Sequence, residues 1–355
     1  MKLQVIRQMY DHSGPFASVY LDASRTTEVG AEEVELRWRD IRRKLAREHT
    51  HDDDLDAIEE VVTDPEEAAP GLAVFAVDGD VAHDEAMSDP PALPIATWSA
   101  LPHVMPLLAQ RGESVPQLRV IIDHTGADVI VIGPGSPRRT AVHAQEWPLT
   151  KTAQGGWSQK RYERSVEETW ERNAMAVAAE VDEEVRRIGA ELVVVAGEPR
   201  SRAMLLDHLG AEASARVVVA ERGSRAEGAD PAPFEAEAEA AVDAWGEREL
   251  GGLLDRYGAG PSARGLDDPA AALRDGRVEV LLLAADSPPD GQMWIGREGP
   301  QLALTKEELA KYGVPDPVRE RADAALVRAA ATTDADLWFA ARDDLGTEVA
   351  AVLRF

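Results

Sequence analysis

Tyr162, Val166, Trp170, Ala174, Val177, Val181, Val185 and Ile188 recur every third or fourth position. That period draws one apolar stripe along a single helix, expected from about residue 158 to 188. Such a helix is roughly 45 Å long at 1.5 Å per residue, so its stripe needs an extended surface to cover it. The flanking sequence supplies one. Residues 119–132 read as a hairpin, "AELVVVAGEPRSRAMLLDHL" as strand, turn and helix, and "ARVVVAE" as another strand. The order β, α, β predicts a partly parallel sheet covered by helices.

With 355 residues the chain exceeds one ordinary core, and three mixed α/β domains are expected: 1–116, 117–260 and 261–355. In the first, "FASVYLD" reads as a strand, residues 32–48 and "DDDLDAIEEVV" as helices, and "GLAVFAVDGDVAH" as a hairpin turning at Asp78-Gly79. A helix through Trp245 and Tyr257 closes the middle domain, and the Gly, Pro and Ser-rich "GAGPSARGLDDP" marks the next boundary. The last domain reads as helix "PAAALRD", a Gly276 turn, strand "RVEVLLLAAD", a loop, helix "PVRERADAALVRAAATT", and strands "ADLWFAA" and "EVAAVLRF". No apolar run approaches the roughly 20 residues of a membrane span. The first residues lack a signal-peptide pattern, and there is no cysteine, so a cytoplasmic protein is expected.

A net charge of −27 argues against a nonspecific nucleic-acid coat. One stretch inverts that sign. Arg138, Arg139, Lys151, Lys160, Arg161 and Arg164 face only Glu146 and Glu163 over the same interval, a local excess of four positive charges. Within it, "KTAQGGWSQKRYER" sets Gly155 and Gly156 at the mouth of the long helix, where a backbone without Cβ atoms approaches another molecule closely. Two readings of this loop stand side by side. In one, glycine N–H groups and the Gln159 amide orient a water or an ester while Trp157 stacks on a base or sugar. In the other, Ser158 simply caps the helix and the arginines are solvated.

The other common chemistries have weaker support. The eight histidines are dispersed; the one local cluster, at His49, His51 and Asp52 to Asp54, reads as the polar start of a helix, so no metal site is expected. "GPGSPR" lacks the residues of a phosphate loop and reads as a turn, and Ser158 has no assignable histidine base. No cofactor is expected.

The stretch "GGWSQKRYERSVEETWERNA" resembles the loop and helix of the middle domain in the archaeal and eukaryotic class-one release factors and Pelota. There, Gly-Gly-Gln-Ser opens a helix that continues with a basic residue, an aromatic and Arg. Gly155, Gly156, Ser158, Arg161, Tyr162 and Arg164 fall in register. "AALRDGRVEVLLL" and "GTEVAAVLRF" resemble two signatures of the family's C-terminal domain. The resemblance covers residues from about 115 to 355 and implies a three-domain, release-factor/Pelota-like α/β protein that docks in the ribosomal A site.

The chain departs from that pattern at telling places. Trp157 stands where the family has its catalytic glutamine, and the nearest glutamine, Gln159, lies two residues later. The first segment holds neither an Asn-Ile-Lys-Ser loop nor, without cysteine, a Tyr-x-Cys box. Stop-codon decoding is therefore not expected. The chain looks most similar to the bacterial, Balon-type branch of the superfamily, which implies a hibernation factor that fills the A site of idle or stressed ribosomes. The resemblance implies ribosomal RNA as a contact for Lys151, Gly155, Gly156, Trp157, Ser158, Gln159, Lys160, Arg161, Arg164, Arg138 and Arg139. It also implies elongation factor Tu or another translational GTPase as partner, with the chain monomeric off the ribosome and no membrane involved. Two alternatives stay open: a peptidyl-tRNA hydrolase using Gln159, and an acidic stress protein with a non-ribosomal partner.

Overall fold

The computed structural model describes residues 1–25, 30–64, 69–113, 115–133, 138–143 and 156–355, with backbone alone at 113, 143 and 156–166. The fold is mixed α/β, as expected. The described residues cluster into two compact units, residues 1–113 with 249–355, and residues 114–248.

In the first unit, α1 (Gln4–Arg7) leads to the strands β1 (Phe16–Asp22), β2 (Gly71–Val77), β3 (Asp80–Met87) and β4 (Ile95–Ser99). They form one antiparallel sheet in the order β3-β2-β1-β4. The β2–β3 hairpin turns where the sequence predicts, with Asp78 and Gly79 both at positive φ, which that two-residue turn demands. Alternation along β1 and β2 sends Val19, Leu21, Leu72 and Val74 toward α2 (Gly30–Arg47) and α3 (Asp52–Thr63), whose Trp38, Ile41, Leu55 and Ile58 cover that face. The opposite face, with Phe16, Tyr20 and Phe75, packs under α4 (Met105–Glu113).

The second unit is a five-stranded sheet of β5 (Gln117–Asp123), β6 (Gly126–Ile132), β7 (Arg138–His143), β8 (Leu192–Gly197) and β9 (Val217–Val219), in the order β7-β6-β5-β8-β9. The pairs β5–β6 and β6–β7 are antiparallel, whereas β5–β8 and β8–β9 are parallel. α5 (Gly156–Ile188) lies on one face with α6 (Pro199–His208) and the short α7 (Ala211–Ser214). Val177, Val181 and Val185 of α5 are fully buried against Leu118, Val120, Ile122, Val193 and Val195. On the other face Phe234 and Ala238 of α8 (Ala232–Ala259) cover Leu192, Val194 and Ala196. With helices on both sides, β8 reads as an unbroken apolar run.

The rest of the first unit begins with the end of α8, where Leu253 and Tyr257 pack on Val280, Leu282 and Ala350. β10 (Ser262–Arg264), α9 (Asp267–Arg274), β11 (Val278–Ala284), β12 (Gln292–Ile295), β13 (Leu302–Ala303), α10 (Lys306–Lys311), β14 (Val318–Arg321), α11 (Ala322–Thr332), β15 (Asp336–Ala340), α12 (Arg342–Leu345) and β16 (Val349–Leu353) follow. Two sheets result, β10-β16-β11-β15 and the small β13-β12-β14. The helix expected over residues 317–333 starts only at Ala322, because residues 318–321 pair antiparallel with β12 and bury Glu320. Leu281, Leu283, Leu326, Leu337 and Val349 share one core with Phe16, Tyr20, Phe75 and Leu107, so the first and last stretches of sequence bury their apolar faces together.

A polar seam crosses that core. Glu320 accepts hydrogen bonds from the amides of Leu101 and Arg321, and burial pushes its carboxyl up despite them. Arg321 pairs with buried Asp323 and lies 3.3 Å from His103 Nδ1. Burial and the Arg321 charge depress His103 to about 4, so its ring is neutral at physiological pH.

The tightest point of the second unit is Gly197, at φ +123, where an added Cβ would lie 1.9 Å from the Ile122 carbonyl oxygen. Gly197→Ala should therefore cost about 3 kcal/mol or more, read from the urea unfolding transition. Gly246→Ala, inside α8 with nothing within 4 Å of the added carbon and no positive φ, should instead raise stability by about 0.5–1 kcal/mol in the same measurement.

Candidate functional site

α5 starts at Gly156, the second glycine of the pair and two residues before its expected start. Lys151 and Gly155 lie outside the described residues. Gly156, Trp157, Ser158, Gln159, Lys160, Arg161 and Arg164 are placed on the first turns of α5 by their backbone. Eleven residues separate Gly156 from Glu167, a helical rise of about 16 Å.

The remaining two candidates sit on β7, the edge strand. Arg138 donates to Glu184 of α5, which also receives hydrogen bonds of 2.9 and 2.6 Å from Arg187. Arg139 donates to Asp128 of β6 at 3.0 Å. Both arginines keep more than half of their side-chain surface in solvent, at 52% and 68%, yet each already has a carboxylate partner. Their charge is thus partly spent within the fold. Glu184 itself is 6% exposed. Burial pushes its carboxyl up, but the hydrogen bonds and charges of Arg187 and Arg138 outweigh burial and hold it below the usual carboxylate range.

A second group gathers where the parallel strands β5 and β8 end side by side. The His124 ring lies 5.6 Å from Trp170 of α5, and Arg200 of α6 stands 5.2 Å over the same indole while pairing with Glu167. Asn173 Nδ2 donates to the His124 carbonyl at 3.1 Å, fixing α5 against the strand end. Trp170, expected within the buried stripe, is only partly buried, because it meets these polar side chains rather than the sheet. Arg225 bridges Asp123 at 2.7 Å and Asp128 at 3.4 Å. Burial pushes the Asp123 carboxyl up, but the Thr125 hydroxyl and amide and the Arg225 charge outweigh it and hold it low.

This arrangement positions rather than reacts. His124 Nδ1 and Ser201 Oγ both face the same Glu198 oxygen, at 3.3 and 3.4 Å, so the carboxylate separates the hydroxyl from the imidazole and no serine–histidine relay is formed. Among the described residues no cluster of His, Asp and Glu is arranged to hold a metal ion, and no helix is long and apolar enough to cross a membrane. Sequence reading missed His124, Asn173, Glu198 and Arg225. For His124 and Glu198 the available signal was position alone, at the turns that follow two apolar strand runs.

Residues 116–262 match the model of the bacterial archaeo-eukaryotic release factor family 2, an interval that contains nearly all of the second unit. Two curated Mycobacterium tuberculosis proteins, the uncharacterized MT2704 and Rv2629, are each 30% identical over 97% of this chain and 93% of their own length. Among solved structures, Saccharomyces cerevisiae Dom34, described as a translation termination-like factor interacting with Hbs1, overlaps with a TM-score of 0.41 at 11% identity, covering 80% of either chain. Archaeal Pelota, from a ribosome-bound model with ABCE1, overlaps with a TM-score of 0.36 at 14% identity, covering 100% of this chain and 95% of that one.

The Glu184 clamp gives a pH prediction. A carboxyl held low in the fold stabilises it above the unfolded pKa, and that stabilisation is lost as pH falls through the depressed folded value. Glu184→Gln should lower the stability of the second unit by about 1–2 kcal/mol at neutral pH. The deficit should shrink on acidification below the ordinary carboxylate range, as followed by amide hydrogen exchange in β5 and β8.

Proposed function

Because the chain belongs to the bacterial archaeo-eukaryotic release factor family 2, we propose that it is a ribosome-binding factor that fills the A site of idle or stressed ribosomes without decoding stop codons. The observation that carries this reading is the placement of Gly156 at the very start of the 33-residue α5, in the family-matched part of the chain. A glycine pair at a helix mouth, held by a helix with its own clamp to the sheet, suits insertion of a tip into a narrow site. Trp157, in place of the family's glutamine, leaves the tip without the group that orients the hydrolytic water, and supports occupancy rather than release. Binding would rest on Lys151, Lys160, Arg161 and Arg164, with Arg138 and Arg139 contributing what their carboxylate partners leave over. These would meet ribosomal RNA phosphates.

Elongation factor Tu or another translational GTPase is the partner this reading calls for. The proposed location is the cytoplasm. A second reading, hydrolysis of peptidyl-tRNA, is favoured by Gln159, one helical turn inside α5.

The two readings separate in one experiment. Purified protein is incubated with vacant ribosomes and with ribosomes carrying labelled peptidyl-tRNA, and cosedimentation and peptide release are both measured for wild type and Gln159→Ala. Hibernation predicts binding that favours vacant ribosomes, no release, and equal behaviour of the variant. Release abolished by Gln159→Ala overturns it, and absence of cosedimentation removes the ribosome altogether.

A further inference from the structure

Most arginines on this acidic chain are neutralised by a neighbouring carboxylate: Arg42 by Asp56 and Glu59, Arg111 by Glu85, Arg225 by Asp123 and Asp128, Arg274 by Glu308. The small β13-β12-β14 sheet is different. Trp294, in the middle of β12, carries Lys306 Nζ 5.7 Å from its ring centroid and Arg319 Cζ 5.9 Å from it. Arg319 stands directly across the ladder on β14, and Lys306 opens α10. Both cations are exposed, and neither has an ion pair among the described residues.

Two positive charges gathered on one ring repel each other, and the segment also contains acids. Three of these acids are engaged elsewhere, while Glu307, next to Lys306 in sequence, is exposed and makes no ion pair with it. Glu308 is held by Arg274 at 2.8 Å, Glu298 accepts from Gln301 at 3.2 Å, and Glu320 turns inward to the amides of Leu101 and Arg321. What is left is a pair of unneutralised cations fixed over an indole, in a chain whose net charge is −27. At the other end of α10, Tyr312 is 58% exposed with Arg274 4.4 Å over its ring. α10 has six residues, so the two ring-bearing ends of this surface are separated by a helix of about 9 Å.

We infer that this face of the C-terminal small sheet is an RNA-contact surface, in which Lys306 and Arg319 bind backbone phosphates and Trp294 and Tyr312 offer ring surface to the bases. The fit rests on chemistry. Guanidinium and ammonium groups without carboxylate partners bind phosphate, and aromatic side chains interleaved with cations accept unstacked bases of any sequence. An acidic peptide would satisfy the charges but leave the two ring-cation pairs without a counterpart. The inference builds on the ribosome-binding reading only in naming the RNA's source; the surface itself lies in the first unit, outside the family-matched interval that carries that reading.

The test uses the full chain. Binding of a short labelled oligouridylate and of polyglutamate is measured across a salt series for wild type, for Lys306→Gln with Arg319→Gln, and for the charge-conserving Lys306→Arg with Arg319→Lys. Thermal unfolding of each variant confirms an intact fold. The double neutralised variant should bind the oligonucleotide roughly tenfold more weakly, with a log–log salt slope shallower by about 1.4, the value for two lost phosphate contacts on a single strand. The charge-conserving variant should keep the wild-type slope. Equal affinity and slope for wild type and the neutralised variant overturn the inference, and a loss confined to polyglutamate replaces RNA with an acidic protein partner. Cosedimentation with ribosomes, run in parallel, keeps the two conclusions apart. If wild type does not bind ribosomes but its oligonucleotide binding depends on Lys306 and Arg319, the surface stands and the ribosome reading falls. If ribosome binding persists while the oligonucleotide result is negative, the reverse holds.

Discussion

Two parallel neighbours in one sheet cannot be joined by a tight turn; the chain must leave the sheet and cross back over it. In the second unit that constraint applies to β5 and β8, which pair in register from Gln117 against Leu192 to Ile122 against Gly197. Everything between them belongs to the crossover: the β6 and β7 strands, residues 144–155 and the whole of α5. The glycine pair is therefore a feature of a connection whose two ends are fixed by the sheet. Its return limb is fixed three times over, by the valine stripe on the sheet, by Asn173 on the His124 carbonyl, and by Glu184 between Arg138 and Arg187.

The electrostatics follow from the same economy. In a strongly acidic chain an arginine finds a carboxylate easily, and most of these do. Charge counted along the sequence consequently overstates the charge available to a partner. Arg138 and Arg139 show this: they read as part of a basic stretch, but in the fold one faces Glu184 and the other Asp128. Lys306 and Arg319 show the converse, since they lie among acids in sequence and yet make no ion pair among the described residues, gathering instead on Trp294.

The fold was legible wherever one periodicity ran long enough. The α5 stripe, the β5–β6 hairpin and the Asp78-Gly79 turn were all readable because repeat or turn chemistry is local. The β13-β12-β14 sheet was not, since strands of two to four residues are too short to display an alternation, and Pro317 to Arg321 sits ahead of a long alanine-rich helix that absorbed it. At the candidate site, the glycine pair and the start of α5 were visible in sequence. The carboxylate partners of Arg138 and Arg139 were not, because Glu184 is 46 residues from the one and Asp128 is 11 from the other. Side-chain pairing across elements has no local signature. His124 and Glu198 were hidden for the same reason, meeting only because two parallel strands end together.

The first unit is written in two stretches, with the second unit's sequence between them. Its core joins Phe16 and Tyr20 to Leu281 and Val349, and the amide of Leu337 donates to the Met1 carbonyl across nearly the whole chain. During synthesis the second unit is therefore complete while the first still waits for its last strands. Until the last stretch emerges, the core that Phe16, Tyr20 and Phe75 share with Leu281, Leu337 and Val349 stays incomplete. The order of translation thus makes the earliest-begun core the last to be completed, and places its exposure to chaperones and to aggregation in the interval when the middle of the protein has already been made.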